Sequence, residues 1–165
     1  MIYTTLTLNG RTYVGPALRS LCVSIVEDPR TESWEREIYS FILDWVGPSD
    51  TISVSTSGST GQPRVFQTAK ERMVQSALVS GKTFDLKPGE TALLCLPVVY
   101  IAGKMMIVRA FVCGLNLVYI KPQSNPLDKL CSDADFAAVV PLQLERAIES
   151  GTVGRVRTLI VGGAP

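Results

Sequence analysis

Thr91-Ala92-Leu93-Leu94-Cys95-Leu96 leads through Ala102–Cys113 to Leu117-Val118-Tyr119-Ile120, an apolar passage that admits two readings. As one unit from Leu93 to Ile120 it is long enough to cross a bilayer. As three units it is a buried strand, a helix and a second strand. Pro97, Lys104, Arg109, Gly114 and Asn116 interrupt the run, and a membrane span does not tolerate that spacing of charge and breakers. The strands do not alternate, as expected of strands covered on both faces, and a helical crossover makes such neighbours parallel. The passage therefore predicts an α/β fold.

The rhythm continues downstream. A short helix near Leu127–Cys131 precedes a strand over Phe136–Val140. Pro141 opens a helix through Ile148, where its missing N–H costs little, and Val156–Val161 is a further strand before Gly162-Gly163-Ala164-Pro165. Upstream, Lys87-Pro88-Gly89-Glu90 has the order of a type II turn. Thr68-Ala69-Lys70-Glu71 has the form of a capping box, predicting a helix from there to about Lys82. Thr51–Val54 and Val65–Gln67 read as short strands on either side of a small-residue loop. Apolar residues at 34, 38, 41, 42 and 45 mark one helix face, ended by Gly47-Pro48, and Asn9-Gly10 signals a hairpin in residues 1–16. The expectation is a mostly parallel sheet with helices on both faces, in a single α/β domain over 1–165. A strand running into a Gly-Gly turn at the last residues further suggests the N-terminal portion of something longer.

Composition removes several functions. With 46% hydrophobic and 19% charged residues the chain can bury a core, and 16 basic against 15 acidic residues offer no charge excess for nucleic acid or an anionic membrane surface. There is no His, which excludes Ser-His-Asp and Cys-His catalysis and most zinc sites. The four cysteines, at 22, 95, 113 and 131, form no C-x-x-C pair, and Cys95 and Cys113 sit in apolar runs. Reduced thiols and the lack of a visible signal peptide point to the cytoplasm.

Chemistry concentrates in Ser55-Thr56-Ser57-Gly58-Ser59-Thr60-Gly61-Gln62-Pro63-Arg64. Five hydroxyls, two glycines and a guanidinium suit an anion: hydroxyls and converging amides donate to phosphate oxygens while Arg64 neutralises charge. It is neither G-x-x-x-x-G-K-[ST] nor G-x-G-x-x-G. On composition alone a flexible Ser/Gly loop is the commoner explanation.

The order of residues argues otherwise. Thr56–Arg64 resembles the phosphate-binding signature of the adenylate-forming acyl-CoA synthetase superfamily, Thr-Ser-Gly-Ser/Thr-Thr-Gly-x-Pro-Lys, with Arg64 at the Lys position. Leu96-Pro97-Val98-Val99-Tyr100-Ile101-Ala102-Gly103 is similar to its Leu-Pro-x-x-His-x-x-Gly segment, with Tyr100 at the His position. Leu159–Pro165 is similar to the strand that enters its Gly-Gly-Ala-Pro turn. The resemblance covers roughly residues 50–165. The short region before the loop and Tyr100–Met106 are most like the o-succinylbenzoate–CoA ligase branch, which serves menaquinone biosynthesis.

That resemblance implies an enzyme using ATP and Mg²⁺ to turn a small carboxylic acid into an acyl-adenylate, and then CoA to give a thioester. It implies that Thr56, Ser57, Gly58, Ser59, Thr60, Gly61 and Arg64 hold the ATP phosphates. Gly162, Gly163 and Ala164 would line the adenylate pocket, with Tyr100 and Gly103 near the acyl group. The metal ligands, the ribose-binding Asp and the adenylating Lys of the family have no counterpart here, so the 165 residues alone are expected to be inactive. Lys104 and Arg109 either attract a second carboxylate or reach from an apolar helix to its surface. A homo-oligomer is left open. Two other readings stand beside the ligase: a non-catalytic nucleotide- or anion-binding α/β module or truncated pseudoenzyme, and a structural domain with a flexible loop.

Overall fold

The computed structural model describes residues 3–56 and 64–163. Strands β1 (Thr5–Leu8) and β2 (Arg11–Val14) form the expected hairpin. Asn9 and Gly10 both have positive φ, 48° and 79°, the conformation that a two-residue turn between twisted strands requires. Helix α1 (Pro16–Glu27) follows and has no counterpart among the sequence expectations. It begins on Pro16 and buries Leu18 and Cys22, one turn apart. Helix α2 (Ser33–Val46) buries Ile38, Tyr39, Phe41, Ile42 and Trp45, the face its periodicity marks.

Strands β3 (Thr51–Thr56) and β4 (Arg64–Ala69) pair antiparallel as a sheet of their own, apart from the main one. Helix α3 (Lys70–Thr83) comes directly after. The capping-box expectation fails here. Thr68 stays in the ladder opposite Ile52, Ala69 is the N-cap, and no side chain caps the helix. The β-branched Thr68 is better placed on a pleated strand, and the Lys70 amide is satisfied by the Asp50 carbonyl at 2.8 Å.

The Pro88-Gly89 turn forms as read, with Gly89 at φ 87° and the Glu90 amide donating to the Lys87 carbonyl. Strand β5 (Thr91–Leu94), helix α4 (Ile101–Cys113) and strand β6 (Asn116–Tyr119) are the predicted strand–helix–strand, and no described helix is long and apolar enough to cross a membrane. A 3₁₀ turn at Leu127–Lys129 leads to β7 (Ala134–Val139), α5 (Pro141–Glu149) and β8 (Val156–Val161). The main sheet has the order β2-β1-β6-β5-β7-β8, with every pair parallel except β1–β2.

Alternate residues of the central strands enter two cores. Ala92, Leu94, Phe136 and Ala138 pack with Met106, Ile107, Phe111, Ile42 and Trp45 from α4 and α2. Leu93, Cys95, Ala137 and Val139 pack on the other face with Ala147 of α5, Leu127 and Leu130. Helices thus cover both faces, and the strands between them are buried twice over, which is why their sequences do not alternate. At 25 cal/mol per Å², each fully buried Leu here is worth about 2 kcal/mol relative to exposure.

Candidate functional site

Parallel pairing puts the carboxyl ends of β5, β6, β7 and β8 along one edge of the sheet. From β5 the chain crosses by α4 to β6 on one side; from β7 it crosses by α5 to β8 on the other. The direction of winding reverses between β5 and β7, and the crevice outside such a reversal is where open α/β sheets take ligands. Tyr100 lies in the turn after β5, and Gly162 and Gly163 follow β8. With strands spaced about 4.8 Å, the end of β8 stands about 10 Å across the sheet from that of β5.

The β3–β4 hairpin reaches this edge from the side. Thr56 pairs with Arg64, so the two ends of the loop 57–63 are neighbours. Ser57, Gly58, Ser59, Thr60 and Gly61 lie outside the described residues, as does Ala164, and Thr56 and Arg64 are known through their backbones. Three contacts seat the hairpin. Ser55 forms a parallel bridge to Tyr100, its hydroxyl donates to the Val99 carbonyl at 2.9 Å, and the Lys104 ammonium donates to the Ser53 carbonyl at 2.6 Å. The residue before Thr56 is therefore stitched to the turn that carries Tyr100.

Tyr100 is the N-cap of α4 and its side chain belongs to a residue 41% exposed, so it can form a wall. Gly103, by contrast, is buried in the first turn of the same helix. A Cβ there would stand 2.4 Å from the Pro97 carbonyl oxygen, so only glycine lets α4 approach the chain leaving β5. Gly163 has φ +102°, and a Cβ on it would meet Val140 Cγ1 at 3.5 Å. The Gly162 amide donates to the Val139 carbonyl at 3.1 Å, extending the β7–β8 ladder into the turn. Beside the Tyr100 turn, a groove of about 380 Å³ is lined by Ser40, Phe41, Asp44, Val98, Val99 and Lys104.

The two cations of α4 do different things, and neither simply reaches into solvent. The Lys104 ammonium sits 5.5 Å from the Phe41 ring centre as well as on Ser53. Burial pulls its pKa below the usual lysine value, against the opposing pull of Asp44. Arg109 is buried deeper, its guanidinium 5.8 Å from the Phe136 ring and one nitrogen 3.6 Å from Met106 Sδ. Its Nε finds no partner among the described residues, and burial lowers its pKa. A guanidinium stays charged regardless, and here the half-buried group rests on a ring face and a thioether sulfur. Among the described residues no three His, Cys, Asp or Glu side chains converge.

Gln143, 5% exposed, escaped the sequence reading. From the first turn of α5 its Nε2 donates to the carbonyls of Cys95 (3.3 Å) and Gln123 (2.9 Å), and its Oε1 accepts the Val140 amide at 3.2 Å. The signal was a Gln two residues after a helix-opening Pro, the position from which a long amide reaches back to the N-cap.

Comparison with known proteins gives three findings. Residues 18–165 match the family model described as AMP-binding enzyme. The 2-succinylbenzoate–CoA ligase of Escherichia coli (strain K12) is 25% identical over 150 residues, 90% of this chain and 30% of that protein. The chain thus spans about a third of the length of the curated relatives it matches. Among solved structures, an acyl-CoA synthetase (AMP-forming)/AMP-acid ligase II-like protein from Dyadobacter fermentans superposes with a TM-score of 0.77 at 37% identity, covering 89% of this chain and 43% of that one. An o-succinylbenzoate CoA synthetase from Bacillus subtilis, solved in complex with AMP, has the same fold with a TM-score of 0.59 at 21% identity, covering 68% and 30%.

Proposed function

The chain belongs to the AMP-binding enzyme family, and from that premise we propose that it is the N-terminal part of an ATP-dependent acid–CoA ligase acting on o-succinylbenzoate in menaquinone biosynthesis. The observation that carries this reading is the Ser55–Tyr100 bridge. It sets the root of a hydroxyl- and glycine-rich loop against the turn whose counterpart in the superfamily borders the acyl group, at the ligand-binding edge of the sheet.

The chemistry suits a chain without His. The nucleophile for adenylation is the acid's own carboxylate, ionised at neutral pH, so no general base is needed. It attacks the α-phosphate of ATP, the P–O bond to pyrophosphate breaks, and an acyl-adenylate results. The thiolate of CoA, its proton lost to solvent, then attacks the acyl carbon, and AMP leaves with the electron pair of the C–O bond. What the protein must supply in the first step is stabilisation of charge building on the phosphates. In this reading the hydroxyls and amides of Thr56, Ser57, Gly58, Ser59, Thr60 and Gly61 donate to phosphate oxygens and Arg64 neutralises them. Backbone at Gly162, Gly163 and Ala164 lines the adenylate, and Tyr100 and Gly103 flank the acyl side. Bound Mg²⁺ would add positive charge at the phosphates.

A dicarboxylic acid over a fatty acid is supported by the relative from Escherichia coli, which carries 2-succinylbenzoate in its name. A reducing, cytoplasmic setting fits Cys22 and Cys95, buried thiols each pushed up to about 12.

The test is acid-dependent ATP–pyrophosphate exchange by the full-length protein, offered o-succinylbenzoate, benzoate and a medium-chain fatty acid. Exchange is expected with o-succinylbenzoate and not with benzoate or the fatty acid, and Arg64→Ala should raise the KM for ATP about tenfold, the weight of one charge-assisted contact. The 165 residues alone should give no exchange. Nucleotide binding without turnover by any acid would instead favour a non-catalytic binding module.

A further inference from the structure

Gln143 occupies the point where the sheet's winding reverses, and nothing in the phosphate, adenylate or acyl assignments uses it. Its buried amide joins three separate segments. One is Cys95, the residue after β5, two positions before Pro97 and on the path to Tyr100. The second is Gln123, in the connection from β6 to β7. The third is Val140, the residue after β7, whose Cγ1 a Cβ on Gly163 would meet at 3.5 Å and whose predecessor, Val139, accepts the Gly162 amide. The bonding pattern also fixes the amide's orientation, since two carbonyls face its nitrogen and an N–H faces its oxygen.

A glutamine buried to this degree is costly unless satisfied, and an apolar side chain of similar size would suit a purely packing role. Its position suggests another use. On one side of it lies the turn carrying Tyr100; on the other, the end of β7 that holds the Gly162 amide and faces the Gly163 turn. We infer that Gln143 is a positioning residue, one that sets the distance between the acyl half and the nucleotide half of the proposed site. This deepens the ligase reading and rests on it. Adenylation requires the carboxylate and the α-phosphate to meet within about 3.5 Å, and aligning two bound reactants is worth far more than binding either. Loss of the amide should therefore leave each half-site intact and misplace them relative to each other.

Binding calorimetry on the full-length protein separates these effects, because loss of folded protein changes the stoichiometry while misalignment changes the Kd. The ligands are AMP, o-succinylbenzoate, and the non-hydrolysable sulfamoyl-adenosine analogue of their adenylate. For Gln143→Leu, and for Gln143→Glu should the leucine variant not fold, AMP and the acid should bind within twofold of the parent. The joined analogue should bind at least tenfold more weakly, with kcat for exchange falling in parallel and both KM values nearly unchanged. Gln143→Glu keeps an acceptor for Val140 but loses both donors, so it should show the same split. Parental affinity for the analogue in a folded variant overturns the inference while leaving the ligase reading intact. An equal loss for all three ligands also overturns it, in favour of a general structural role. If the unaltered protein binds neither AMP nor the analogue, the ligase reading itself fails and takes this inference with it.

Discussion

The six-stranded sheet and the β3–β4 hairpin are held by different physics. In the sheet, Leu93, Leu94, Phe136 and Leu117 are at most 1% exposed and helices cover both faces. Among the described residues of the hairpin only Ile52 and Val54 are buried, while Val65 and Phe66 are 68% and 45% exposed. Those two enter the main core, and the other anchors are polar: Ser55 on Val99, Lys104 on Ser53, and Lys70, from the helix that follows, on the Gly47 carbonyl at 2.9 Å. The scaffold's stability comes from area removed from water; the hairpin shares in that core only through Ile52 and Val54 among its described residues, and its edge toward Tyr100 is set by a few named hydrogen bonds. Substitutions in the first should cost stability; substitutions at the second should cost function with little effect on unfolding.

The sharpest way to break that contrast is Gly103→Ala. A methyl group 2.4 Å from a backbone oxygen, with two further backbone atoms at 3.0 Å or closer, cannot be accommodated by turning a side chain. Either α4 or the chain after β5 must shift. Overpacking of this kind should lower the unfolding free energy by about 3 kcal/mol, read from urea denaturation. An unchanged midpoint, with only the acid KM altered, would instead make Gly103 a pocket residue whose packing is incidental.

That same glycine shows how far the sequence could be read. The strand–helix–strand of 91–120 and the α2 face were legible because burial imposes a period on the chain, and each period is local. The capping box at Thr68 was misleading because a β-ladder partner 16 residues earlier, Ile52, claimed Thr68 for the strand. Helix α1 was passed over although Leu18, Leu21, Cys22 and Ile25 carry a helical spacing after Pro16. The loop motif announced its chemistry through residue order. The contacts that seat it, Ser55 to Val99 across 44 positions and Lys104 to Ser53 across 51, have no local signature. Gln143 to Cys95, 48 apart, is hidden for the same reason.

A smaller effect, of opposite kind to Gly103→Ala, is expected for Lys104→Met. The stem still covers Phe41, but the Ser53 carbonyl loses its charged donor. A hydrogen bond of that type is worth about 1.5–3 kcal/mol when the geometry is good, and less near solvent. In the full-length ligase the KM for ATP should rise about tenfold, while the thermal midpoint moves by no more than a few degrees. Lys104→Arg should recover part of the loss, since a guanidinium can still reach a carbonyl. A large fall in the midpoint with an unchanged KM would mean that the hairpin shares in the scaffold's stability, and the division drawn above would not stand.

The smallest effect is one of pH, and it separates stability from function by sign. Burial is the main cause lowering the pKa values of Lys104 and Lys70, with Asp44 opposing it in both and Asp50 also in the second. Between a depressed folded value and the ordinary 10.5, the unfolded chain holds protons that the folded chain has released. Stability from these groups therefore rises with pH through that alkaline window and is lowest below the folded values. Tyr39 and Tyr119 run the other way, because burial raises both, so total stability is not the useful reading. The difference between the parent and Lys70→Met/Lys104→Met isolates the lysines: the parent should gain on the double variant as pH approaches 10.5. Over the same range a neutral amine holds the Ser53 carbonyl more weakly than an ammonium does. The parent's KM for ATP should therefore rise while its relative stability improves. If both quantities worsen together, the ammonium groups contribute to the fold as a whole, and the hairpin is not the separately anchored element described here.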